Sequence, residues 1–141
     1  MRMLIAATRR LGASRRGSTL VESALVLGLF VQMIFGIMEA ARFMYFYNWV
    51  SYAAREGTRY ACVRGTSSTQ PASASDIQTF IMNQAVTYDP SNVTVATTWL
   101  PNNSRGSTVA VKVSYAYHPL IGIIFPAAMS LSATSKMVIS Q

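Results

Sequence analysis

One cysteine, one histidine and five acidic side chains are all that 141 residues offer of the groups most site chemistry depends on. Cys62 has no second cysteine for an internal disulfide and no Cys or His cluster beside it, which removes both a disulfide framework and a zinc site. It reads as a small apolar residue rather than a reactive thiol. His118 stands directly before Pro119, a surface or strand-end position, and Asp76 and Asp89 are the only acids beyond residue 65. No Ser/His/Asp set, carboxylate pair, phosphate-binding glycine loop or metal-ligand spacing can be assembled from that inventory. The expectation is a protein that is not an enzyme, with no cofactor, no metal and no small-molecule substrate.

Scarce negative charge leaves the chain at +7. Such a balance ordinarily raises nucleic-acid binding, so the position of the charge decides. Arg2, Arg9, Arg10, Arg15 and Arg16 lie within the first 16 residues, where there is no acid, whereas residues 18–141 carry seven basic and five acidic side chains. The basicity belongs to a leader, and a nucleic-acid partner is not expected.

Charge is missing altogether from Ser23 to Met38, SALVLGLFVQMIFGIM. With Glu22 and Glu39 at its ends the stretch reaches the roughly 20 residues that a bilayer-spanning helix needs. A buried core helix is the competing reading, but a domain this small could hardly enclose it. A cleaved secretory signal would end in a small-residue cleavage site and a break. The chain beyond Met38 instead has no Pro and no Gly until Gly57. Phe43, Tyr45, Phe46, Tyr47, Trp49 and Tyr52 there read as an interfacial aromatic belt. Arginines before the span and none within it predict a cytoplasmic N-terminus and an extracytoplasmic C-terminal domain. The helix is expected to run from Ser18 to about Arg64, with Gly65 as the stop, so more than half of it would form a stem outside the lipid.

The order Arg15-Arg16-Gly17-Ser18-Thr19-Leu20-Val21-Glu22 resembles the processing site of type IV pilin-like proteins, a basic leader cut after Gly with Glu fifth after the cut. LVESALVLGLF, with AAREGTRYACVRG further on, is similar to the TadE-like family, minor pseudopilins of tight-adherence (Flp) pilus systems. The likeness covers residues 15–65; Ser18 departs from the Phe common at that position in other type IV pilins. It implies cleavage between Gly17 and Ser18 by a prepilin peptidase. It also implies residence in the bacterial inner membrane and assembly with other pilin or pseudopilin subunits on a pilus assembly platform, serving adhesion or biofilm formation. A span-terminal carboxylate is costly unless paired, which makes Glu22 a functional candidate. One helical turn separates it from the amine that cleavage would free on Ser18. The resemblance implies that the two pair between neighbouring subunits. The alternative is that Ser18 or Thr19 caps the span with Glu22 in a capping box.

Glu39 and Arg42 are spaced for an intrahelical ion pair or an intersubunit one. Arg55, Glu56, Gly57 and Arg59 match the family's stem signature, though a solvated helical face would carry such charges too. Gly57 is the informative member, because glycine inside a helix costs roughly 1 kcal/mol against alanine and is best explained by close packing.

The chain is expected to hold three segments: a leader, 1–17; the transmembrane and stem helix, 18–64; and a small extracytoplasmic head, 65–141. In the head, Ile77, Phe80, Ile81, Gln84, Ala85 and Tyr88 form one helical stripe, with Ser73 and Asp76 as a capping box. Period-2 alternation predicts strands over 93–100, 108–117 and 131–140. The turn-rich link 101–106 makes the first two antiparallel neighbours. The apolar segment Pro119 to Pro126 is either a crossover covering the sheet edge or a contact surface for a partner. The fold class is α+β: a long helix, a short helix and a three-stranded antiparallel sheet. Two other functions remain open: a signal-anchored extracytoplasmic binding domain that never polymerises, or a type II secretion or competence pseudopilin.

Overall fold

The structure is a computed structural model and describes residues 15–85, 89–120 and 127–140. Helix α1 runs Arg15–Cys62, α2 runs Ala74–Gln84, and a short 3-10 turn, Pro90–Asn92, leads into strands β1 (Val93–Leu100), β2 (Thr108–Tyr117) and β3 (Met129–Val138). This is the expected α+β composition. The chain divides into two compact units, the first ending at Gly36 and the second comprising Ile37–Gln141.

α1 begins three residues before Ser18 and ends two before Arg64, so both expected bounds shift. Its C-terminal carbonyls explain the earlier stop. Cys62 O accepts the Ser140 N–H at 2.9 Å, and Arg64 N–H turns back to Ala61 O at 3.1 Å, an i→i−3 closure. The Arg64 carbonyl takes the Ala72 N–H at 2.9 Å, so the loop ahead of α2 is tied to the helix end.

The sheet order is β1-β2-β3, antiparallel throughout. Alternation holds as expected: Val93, Val109, Val111, Val113, Tyr115, Tyr117 and Leu131 are buried, while Thr94, Ala96, Thr98, Lys112, Ser132 and Thr134 face outward. β3 starts at Met129 and ends at Val138, two residues earlier at each end than the 131–140 expected. The ends of β2 set this frame, since Tyr117 pairs with Met129 and Thr108 with Val138. β2 and β3 are adjacent and antiparallel, and the apolar segment Pro119 to Pro126 falls in the link between them. Residues 121–126 of that link, and Tyr88 of the α2 stripe, lie outside the described residues.

α2 has the capping box that its sequence predicts: the Asp76 N–H donates to Ser73 Oγ at 3.3 Å and the Ser73 N–H to Asp76 Oδ2 at 2.9 Å. It buries Ile77 and Ile81, and Ala85 at its C-cap is buried as well. The other cover of the sheet is the second half of α1. From residue 39 its inward positions are 39, 43, 46, 50, 53, 54, 57, 58 and 61, a stripe at helical period. The aromatic belt therefore splits. Phe43, Phe46 and Trp49 pack against the core, with Phe46 stacked on Tyr115 at 4.7 Å and Phe43 edge-on to Tyr117 at 5.7 Å. Tyr45, Tyr47 and Tyr52 point outward. Residues 39–61 are thus a core helix of the second unit, because a one-sided sheet must bury its apolar face.

Candidate functional site

The most unusual side chain of the second unit is Glu39, 1% exposed at the head of the inward stripe of α1. A buried carboxylate is expensive unless its oxygens are occupied. Three donors converge on it. The Tyr117 hydroxyl donates to Oε1, as does the Leu120 N–H at 3.3 Å, and Arg42 Nη1 reaches Oε2 at 3.3 Å. The expected Glu39–Arg42 pair is thus present within the helix. An i, i+3 ion pair contributes about 0.3–0.5 kcal/mol, against about 1.5–3 kcal/mol for a hydrogen bond to a charged group, so the bonds from Tyr117 and Leu120 dominate. Arg42 also lies over the rings of Phe46 and Tyr117, 5.9 and 5.8 Å from their centroids. Burial, reinforced by the hydrogen bond to Glu39, pushes the Tyr117 hydroxyl up to about 12. Tyr117 and Leu120 are members that the sequence reading missed. The signal for them was that Glu39 continues the inward stripe of residues 43, 46 and 50.

The stem signature separates by face. Ala53, Ala54, Gly57, Thr58 and Ala61 are buried, and Arg55 and Arg59 are exposed. A Cβ on Gly57 would stand 2.6 Å from Ile81 Cδ1 and 3.3 Å from Val111 Cγ1, so the glycine is where α1, α2 and β2 meet. Close packing explains it, as the helix-interior penalty suggested. Thr58 adds a cross-link, its hydroxyl lying 2.7 Å from Ala54 O and 3.3 Å from Ser135 O on β3. Outward, Glu56 and Arg59 pair at 3.5 Å, and Arg55 Nε donates to Ser51 O at 3.2 Å. Further along, Arg64 sits 3.8 Å over the Tyr60 ring, which stacks on Phe80 of α2 at 4.2 Å.

Gly17, Ser18 and Glu22 lie in the first unit, all helical and exposed. Among the described residues, no side chain pairs with Glu22. Gly17 is helical, two residues after the first described residue of α1. The remaining arginines of the leader, Arg2, Arg9 and Arg10, lie outside the described residues.

Chemistry elsewhere in the second unit is local. Asp76 is held below the usual carboxylate range by the Ser73 hydroxyl and N–H, and Asp89 by the same two groups of Ser91, so both acids serve as caps. His118 is exposed just beyond β2, and Cys62 is partly buried against the core. Among the described residues, no group of three or more His, Cys, Asp and Glu could hold a metal ion.

The architecture is an apolar helix that continues into the core of a small α+β unit, and α1 is long and apolar enough to cross a membrane. Residues 17–59 match the family model of the TadE-like protein. The matched stretch is under a third of the chain, and it contains Gly17, Ser18, Glu22, Glu39, Arg55, Glu56, Gly57 and Arg59. No curated protein and no solved structure matches the chain.

Proposed function

We propose that the protein is a minor pseudopilin of a tight-adherence pilus, anchored in the bacterial inner membrane by α1, cut after Gly17 and then assembled with other pilin subunits. The observation that carries this reading is the order of basic leader, Gly17, Ser18 and Glu22 at the mouth of an uncharged run, in a region whose family match begins at residue 17. A prepilin peptidase would have to unwind the first turn of α1 to reach Gly17. That is a small demand, because the first four N–H groups of a helix have no intrahelical partner and the end frays readily. Arginines on one side of the span support a cytoplasmic N-terminus and an extracytoplasmic head. The role in adhesion or biofilm formation follows from the pilus reading. The test is the intact mass of the protein isolated from cells that contain the peptidase. A chain starting at Ser18 is expected, and a chain retaining residues 1–17 overturns the reading.

A further inference from the structure

We infer that the end of the sheet where β2 finishes rests in the lipid interface, with Leu120, Tyr45 and Tyr47 as lipid-contacting side chains. The inference rests on the membrane-anchor reading and goes beyond it, since anchoring by α1 alone says nothing about where the sheet lies.

The uncharged run ends at Met38, and the next residue, Glu39, accepts the Leu120 N–H at 3.3 Å. Leu120 is therefore at the level of the residue that closes the span, yet its side chain is 75% exposed. An exposed leucine fixed at that level meets lipid, and Ile37 and Met38, which precede Glu39, are themselves exposed. Tyr45 and Tyr47 are six and eight residues further on, about 9 and 12 Å along the helix axis. Helical side chains lean toward the N-terminus, which brings both rings back toward the headgroup layer, about 5–8 Å thick on each side of the bilayer. Tyrosines with an apolar body and a polar tip suit that layer. Tyr52, about 20 Å beyond Glu39 by the same rise, lies past it.

The far end of the sheet supplies the control. Leu100 is 76% exposed, matching Leu120, but it pairs with Thr108 at the other end of β2, and Thr108 pairs with Val138 near the Ser140–Cys62 bond. From Glu39 to Cys62 is about 35 Å of helix. Two leucines of equal exposure should thus report opposite environments.

The test uses the full chain with Cys62→Ala, reconstituted in phosphatidylethanolamine and phosphatidylglycerol vesicles, with a spin label at Leu120→Cys, Leu100→Cys or Phe30→Cys. Collision with oxygen, which concentrates in lipid, is compared with collision with a water-soluble nickel chelate. The oxygen-to-nickel ratio is expected to be severalfold higher at 120 than at 100, and of the same kind at 120 as at 30. A lipid-like ratio at 30 with a water-like ratio at 120 overturns the inference and leaves the anchor intact. A water-like ratio at 30 overturns both. A label at 120 shielded from both agents places a protein neighbour there instead of lipid and also overturns the inference.

Discussion

At the scale of single residues, the chemistry of this protein is concentrated in one buried carboxylate and its donors. Glu39 is acceptor-only when ionised, and two of its three donors come from distant parts of the chain: Tyr117 ends β2, and Leu120 lies in the link to β3. The network therefore ties the helix to one end of the sheet. Removing a donor from a buried acceptor costs more than the bond alone, because the group loses water as well as partner. Tyr117→Phe should lower the stability of the head by about 1.5–3 kcal/mol, read as a shift in the urea midpoint of the detergent-solubilised chain. A midpoint within error of the wild type would mean that the carboxylate is satisfied without the phenol. The pH dependence has a fixed sign. The folded value of Tyr117, about 12, lies above its ordinary value of 10.0, so the stabilisation is complete below pH 10 and is lost as pH rises toward 12. Unfolding midpoints followed over that window should fall for the wild type and fall less for Tyr117→Phe; equal slopes would assign the alkaline loss to other groups.

At the scale of elements, α1 carries two patterns in one unbroken helix, and this is why the sequence was legible in part. The period-2 strands are a local signal, and it located all three strands to within two residues. The capping box of Ser73 and Asp76 was equally local. What escaped was the assignment of faces along 39–61. Six aromatics in ten residues look like an interfacial belt, and only the sheet, far away in sequence, shows that Phe43, Phe46 and Trp49 are core. Tyr117 and Leu120 were missed for the same reason, since no spacing rule links them to Glu39 across some eighty residues. Gly57 was the exception, because its helix penalty asked for a packing explanation. The contact with Ile81 now gives that explanation a test. Alanine at 57 would gain roughly 1 kcal/mol of helix propensity, but its Cβ would overlap the terminal methyl of a fully buried Ile81. Overpacking of that kind costs about 1–3 kcal/mol. Gly57→Ala should come out neutral to destabilised by about 2 kcal/mol, and Gly57→Val, with two further methyl groups at the junction, more destabilised still. A full stabilisation of about 1 kcal/mol by Gly57→Ala in the same urea experiment would show that the three elements do not meet as described.

At the scale of the whole molecule, the proposed function makes opposite demands on the chain's two charged extremes, and both are open to measurement. The arginine-rich start should stay in the cytoplasm, so a reporter active only outside the cytoplasm, fused after Gln141, should give signal. Signal from a cytoplasm-only reporter instead would reverse the orientation. Glu22 makes the sharper test. It stands at the head of an otherwise uncharged run, with no partner among the described residues, and a lone carboxylate in that place is costly. Its sequence position puts it one turn from the amine that cleavage after Gly17 would free on Ser18. If the carboxylate's partner is supplied by a neighbouring subunit, the cost is relieved only on assembly, and Glu22 favours the assembled state over the free one. Glu22→Ala should then insert and be cut as the wild type is, because removing a charge eases insertion and Gly17 is untouched. Assembly should fail by a wide margin, since removing one partner of a buried charge pair costs about 3–5 kcal/mol, against less than about 1 kcal/mol for an exposed pair. The expected result is mutant protein of normal mass and normal amount in the inner membrane, with little of it in sheared pilus fractions and with adhesion reduced. Glu22→Gln separates charge from shape: it keeps the size and one acceptor, and on the ion-pair mechanism it should fail nearly as badly. Wild-type incorporation of the Glu22→Ala chain into pili would remove Glu22 from the assembly mechanism and would require another source of subunit recognition.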